Sequence, residues 1–89
     1  MARQRYIVTG KVQGIGFRYW THHTASSFGL HGWVRNLPDG NVELVAEGDL
    51  TTLRQFEKEL WRGPIRSNVT EVKPCETNLQ ESLSGFSML

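Results

Sequence analysis

A single cysteine, Cys75, is all the chain carries, which excludes an internal disulfide and a cysteine-built zinc site and fits a reducing cytosol. Charge of one sign is equally scarce. Ten basic residues against nine acidic ones leave a formal charge of +1, too little for a broad field that steers nucleic acid or coats an anionic membrane. Affinity for an anion therefore has to be local. No apolar run is long enough to span a bilayer, and Met1 to Gly10 lacks the basic-then-apolar order of a secretory signal, so the sequence reads as soluble and cytoplasmic. At 89 residues there is room for one two-layer core and none for a separate cofactor domain. Two phosphate motifs are missing as well. Tyr19 stands where the dinucleotide fingerprint needs its third glycine, and no Walker Gly-Lys-Ser/Thr follows.

What the chain does have is a glycine-bearing turn, Gly10-Lys11-Val12-Gln13-Gly14-Ile15-Gly16-Phe17-Arg18, between a strand-like and a helix-like segment. Successive amides of a tight turn, together with the unpaired amides of a helix's first turn, form a concave patch of positive potential. Gly14 and Gly16 permit the backbone such a turn needs, and Arg18 offers a planar charged fork that holds two phosphate oxygens. By itself the segment is weak evidence, since many such turns carry glycine for geometric reasons and an arginine in a first helical turn is often just solvated.

Periodicity places this turn in a fold. Arg5 to Val12 alternates with β-branched residues and predicts a first strand. Phe17, Trp20, Thr24, Ala25 and Phe28 trace a helical stripe that Gly29 stops. His31 to Asn36, the turn Leu37-Pro38-Asp39-Gly40, and the alternation of Val42, Leu44 and Ala46 with Glu43, Val45 and Glu47 predict a hairpin with one polar-leaning face. Asp49 is placed to cap a second helix, whose stripe of Leu50, Leu53, Phe56, Leu60 and Trp61 ends at Gly63-Pro64. A fourth strand is expected around Val69 to Lys73 and a loop from Asn78 to Gly85. Phe86-Ser87-Met88-Leu89 is a candidate for a short fifth strand.

The order β-α-β-β-α-β is that of an α+β ferredoxin-like sandwich, one domain over residues 1–89 with two helices on one face of an antiparallel sheet. In that topology strands one and two run parallel with strand three between them. Their C-terminal ends share one sheet edge, roughly 9 to 10 Å apart, which brings Asn36 towards the turn and Arg18.

With those positions in place, two motifs together resemble the acylphosphatase family: Gly10, Val12, Gln13, Gly14, Ile15, Phe17 and Arg18 in the first, and Gly32, Trp33, Val34, Arg35, Asn36, Gly40, Val42 and Gly48 in the second. The resemblance runs from about Tyr6 to Val72. Ile15 stands for the more usual valine, Gly16 occupies a variable place, and the chain stops sooner after Phe86 than relatives often do, which bears on stability more than on chemistry. The resemblance implies an enzyme that hydrolyses the carboxyl-phosphate bond of small acyl phosphates, with no metal or other cofactor and by direct water attack. It implies that Gly14, Ile15, Gly16, Phe17 and Arg18 cradle the phosphate, that Arg18 binds the phosphoryl group, and that Asn36 orients the water. Inorganic phosphate is then product and inhibitor, and the acyl group faces solvent. Acylphosphatase-like domains inside larger maturation proteins serve carbamoyl phosphate chemistry, but no zinc-finger cysteines accompany this one.

The alternative is a non-catalytic phosphate-ligand or nucleic-acid binding module on the same fold. Against it stand the water-orienting Asn36 and the absence of a basic-aromatic strand of the RNA-recognition type. His22 and His23 are adjacent on a helix and point about 100° apart, so they do not converge on one ion. Trp20 and Trp61 are expected to pack, Glu43, Glu47 and Glu57 to lie on solvated faces, and Cys75 to have no role. With no exposed apolar helix face standing out, a monomer is expected.

Overall fold

A computed structural model describes all residues, Met1–Leu89, in the order β1 (Ala2–Lys11), α1 (Phe17–Ser27), β2 (His31–Asn36), β3 (Val42–Gly48), α2 (Leu50–Arg62), β4 (Asn68–Cys75) and β5 (Phe86–Met88). The strands form one sheet in the order β4-β1-β3-β2-β5. The four long strands pair antiparallel, as expected. The short fifth strand does form, and it pairs parallel to β2, so the sheet is mixed rather than wholly antiparallel. β1 starts earlier than predicted, at Ala2, because its pairing with β3 begins at Ala2↔Gly48, and β4 runs past both predicted limits because it pairs with β1 from Arg5↔Cys75 to Lys11↔Asn68.

The register Tyr6↔Leu44↔Val34 puts one row of apolar side chains on the helix side of the sheet. There they meet Phe17 and Ala25 of α1 and Leu53, Phe56 and Leu60 of α2 in a single core. The face of α1 differs in part from its predicted stripe. The fully buried row is Phe17, Thr21 and Ala25, four residues apart, while Trp20, Thr24 and Phe28 are half-buried beside it. Thr21 was passed over because a hydroxyl does not count towards an apolar stripe; its Oγ1 is buried with no hydrogen-bond partner. Gly29 does stop the helix. With its φ at 72° it closes a Schellman motif, in which Leu30 N–H reaches Ala25 O and Gly29 N–H reaches Ser26 O, both at 3.0 Å. Asp49 occupies the cap position of α2 in extended conformation, yet its carboxylate makes no cap bond; its carbonyl accepts from Leu53 N–H at 2.9 Å.

The second face of the sheet is where the sequence reading needs its main correction. Glu43 is not solvated: its side chain is 6% exposed and lies between Arg5, at 2.6 Å, and Arg35. Glu47 is likewise paired, with Arg3 at 2.8 Å, and Glu57 is half-buried beside Tyr6, whose phenol is pushed up by burial and by that carboxylate. Arg3 also donates to the carbonyls of Leu79 and Glu81, at 2.7 and 2.8 Å, folding the segment after β4 back over this face. Residues Val42 to Ala46 are therefore buried on both sides of the sheet. Alternating polarity in sequence does not separate a solvated glutamate from one neutralised by arginines on neighbouring strands.

Burial alone would raise the Glu43 carboxyl, but hydrogen bonds from Arg5 and Arg35, reinforced by their charges, hold it below the ordinary carboxylate range. A depressed folded-state value contributes stability above the unfolded-state value of about 4.3 and loses it as pH falls through the folded one. Glu43→Gln is thus expected to cost about 1–2 kcal/mol at pH 7, discounted for the partial exposure of both arginines. The gap to the parent protein should close in acid, and urea titrations at pH 7 and in acid read both quantities.

Candidate active site

Between β1 and α1 the chain makes a turn in which Gly14 and Gly16 have φ of 75° and 81°, the left-handed region that favours glycine. A Cβ at either position meets no atom within 4 Å, so backbone conformation, not crowding inside the protein, is what requires glycine here. The first amide to close a helical bond is that of Trp20, onto Gly16 O at 2.9 Å; those from Gly14 to Tyr19 find no acceptor in the protein. The first turn of α1 carries no acidic residue and no side-chain cap. Its positive end is left uncompensated, which suits it to receive an anion.

A cavity of about 170 Å³ opens at this turn, lined among others by Gly14, Gly16, Arg18 and, from the end of β2, Asn36. The two strands that deliver these residues are separated by β3, and their C-terminal ends meet on one edge as the topology requires. Phe17 has its side chain in the core and Ile15 packs half-buried against it, so each has only backbone to offer an anion. Wider hollows of about 450 and 550 Å³ lie at the β4 edge and beside the segment before β5, and neither gathers a turn of free amides.

Three further contacts fix the arrangement, and none was read from sequence. Gln13 Nε2 donates to the carbonyls of Leu37 and Asn41, each at 2.8 Å, stapling the glycine turn to the β2–β3 turn and so holding Asn36 at its distance. Arg18 Nη1 donates to Leu89 O at 2.6 Å, which orients the guanidinium while leaving its other donors free. His22 Nδ1 lies 2.7 Å from Phe86 O, tying β5 to α1. Gln13 had a signal, a polar side chain at a fixed place in a glycine motif; a backbone carbonyl at the far end of the chain has none. The other histidines also have structural partners: His31 Nδ1 accepts from Gly85 N–H at 2.8 Å, and the His23 ring stacks on Tyr19. Trp20 tilts against Phe17 at 5.5 Å, as packing predicts, whereas Trp61 is 47% exposed. Trp61 lies beyond the row of Leu53, Phe56 and Leu60 that reaches the core.

A two-layer α+β sandwich with an uncapped, glycine-shaped turn on one edge has the form of a small protein suited to hold a phosphate. Comparison with known proteins narrows this. A family model described as acylphosphatase matches residues 4–88. An acylphosphatase from Bacillus licheniformis is 48% identical over 86 residues, spanning 97% of this chain and 92% of that protein. The crystal structure of acylphosphatase from Bacillus subtilis superposes with a TM-score of 0.93 at 39% identity, over 100% of this chain and 99% of the other. HypF from T. kodakarensis matches with a TM-score of 0.88 at 28% identity, this chain covering 12% of that larger protein. The chain belongs to the acylphosphatase family.

Gln13→Ala removes both bonds of the staple and leaves two carbonyls to water. The expected cost is about 1–2 kcal/mol, several degrees in Tm, read by thermal denaturation.

Proposed function

We propose that this protein is a cytoplasmic, monomeric acylphosphatase that hydrolyses small acyl phosphates to carboxylate and inorganic phosphate by direct attack of water, without a covalent intermediate. The observation that carries the reading is the meeting of the Gly14 and Gly16 turn, Arg18 and Asn36 on one cavity. The same meeting supports an enzyme over a non-catalytic binder, because a pure phosphate site has no use for a carboxamide beside the anion.

An acyl phosphate is a mixed anhydride whose leaving group is a carboxylate, with a conjugate acid near the pKa of about 4 seen for carboxyl side chains. It departs as the anion and needs no strong general acid. The loose, metaphosphate-like transition state of phosphoryl transfer asks mainly for charge stabilisation and placement of the nucleophile. The amides of residues 14–18 and the Arg18 guanidinium meet the phosphoryl oxygens as fixed dipoles and charge. Asn36 accepts a hydrogen bond from the water through its amide oxygen. The new bond joins water oxygen to phosphorus, the phosphorus–acyl oxygen bond breaks, and the water proton passes to a phosphoryl oxygen, since Asn36 is too weak a base to take it. Phosphate, as product, binds the same cradle and inhibits.

Steady-state hydrolysis of benzoyl phosphate in EDTA tests this. Turnover is expected to resist the chelator. Asn36→Ala should lose a factor of about 10² to 10³ in kcat, as for one lost transition-state hydrogen-bond group, with phosphate inhibition little changed. Arg18→Ala should lose phosphate inhibition; if it kept the parent value, the cradle assignment would be wrong. The kcat profile should be flat across neutrality, and a steep limb at about pH 6.5, where an imidazole titrates, would point to a histidine base instead.

A further inference from the structure

The cavity that holds the polar groups also has an apolar rim. Tyr19, from the first turn of α1, and Met88, from β5, both line it, and they are 64% and 49% exposed. Neither belongs to the core or packs against it. Single exposed apolar side chains are ordinary on a protein surface. Two from elements nearly 70 residues apart in sequence, converging on the mouth of one small cavity, are a different matter.

Both are held in place. The Tyr19 ring stacks on His23 with centroids 6.5 Å apart and planes 15° from parallel. Met88 is in register with Val34, and the strand around it is anchored, Leu89 N–H to Val34 O at 2.9 Å and, two residues before Met88, Phe86 O by His22. A ring and a thioether fixed at the edge of a phosphate site gain nothing from the phosphoryl group, whose oxygens are matched to amides and guanidinium. The part of the substrate left to cover their apolar surface is its acyl half. A tyrosine face and a methionine sulfur are good partners for an aromatic ring.

We propose that Tyr19 and Met88 form an acyl-group subsite, and that the substrates best suited to this protein are acyl phosphates whose carbonyl bears an aromatic or comparably large apolar group. This rests on the acyl phosphate hydrolase reading above and corrects the expectation that the acyl group simply faces solvent. An acetyl methyl is too short to cover both side chains, whereas a benzoyl ring lies against them. The subsite acts on selectivity between acyl groups, and the phosphoryl chemistry stays with Arg18 and Asn36.

The test compares kcat/KM for benzoyl and acetyl phosphate in the parent protein, Tyr19→Ala, Met88→Ala and Tyr19→Phe, with phosphate inhibition measured alongside. The ratio of the two substrates within each variant cancels general damage to the site, and comparing that ratio between variants cancels the intrinsic difference between leaving groups. Each alanine variant is expected to lower the benzoyl-to-acetyl ratio by about fivefold, within the range for small changes in apolar contact, and Tyr19→Phe to retain it. Equal loss on both substrates, or an unchanged ratio in both alanine variants, overturns the subsite while leaving the enzyme reading intact. Absence of turnover on either substrate in the parent protein overturns the enzyme reading, and the subsite with it.

Discussion

The insertion of β3 between β1 and β2 is the constraint on which the candidate site depends. Because β3 pairs antiparallel with both neighbours, β1 and β2 run parallel and end on the same edge. The turn after β1 and the last residue of β2 are thereby brought to one cavity although Arg18 and Asn36 do not neighbour each other in sequence. The Gln13 amide, bonded to two carbonyls of the β2–β3 turn, converts this rough juxtaposition into a fixed distance. In the proposed hydrolysis, placement of charge and water is what the substrate demands, and a rigid frame serves that placement.

The same strand organises the opposite face. β3 is buried on both sides, by the helices on one and by arginines and the returning 76–85 segment on the other. Glu43 can sit there because two guanidiniums meet its carboxylate from the flanking strands, leaving no unpaired charge in the layer. Arg35 in turn lies over the Trp33 ring at 5.5 Å, so charge neutralisation and packing reinforce each other.

Much of this was legible in the sequence, for identifiable reasons. Strand and helix periods are local properties, so the element order and the ferredoxin-like architecture are legible in them, and Gly14, Gly16, Arg18 and Asn36 fall at places the topology makes neighbours. What escaped depends on partners distant in the chain. Nothing near Glu43 says that arginines 38 residues before it and 8 before it will enclose it. Thr21 is buried through its position on the helix rather than its hydropathy. The Leu89 carbonyl that steadies Arg18 belongs to the backbone, on which sequence is silent. Parallel pairing of β5 escaped too, because a three-residue strand carries no direction in its pattern.

The position of β1 has a bearing on how the molecule reaches its native state. This first-made strand lies inside the sheet, and its partners are β3 and β4, drawn from the middle and the later part of the chain. A growing polypeptide can form the β2–β3 hairpin and both helices early and pair β1 with β3, but β1 has to wait for β4 before its second edge is satisfied. Loop-closure entropy is lost before those distant contacts return anything, which makes folding slow for a chain of this size. The glycine turn, which follows β1 directly, gains its Gln13 bonds to the β2–β3 turn only when β1 has joined β3. The candidate anion surface therefore emerges with the joining of β1, β3 and β2 rather than from the glycine turn alone, and a chain in which those strands are still apart has no fixed site to offer a ligand.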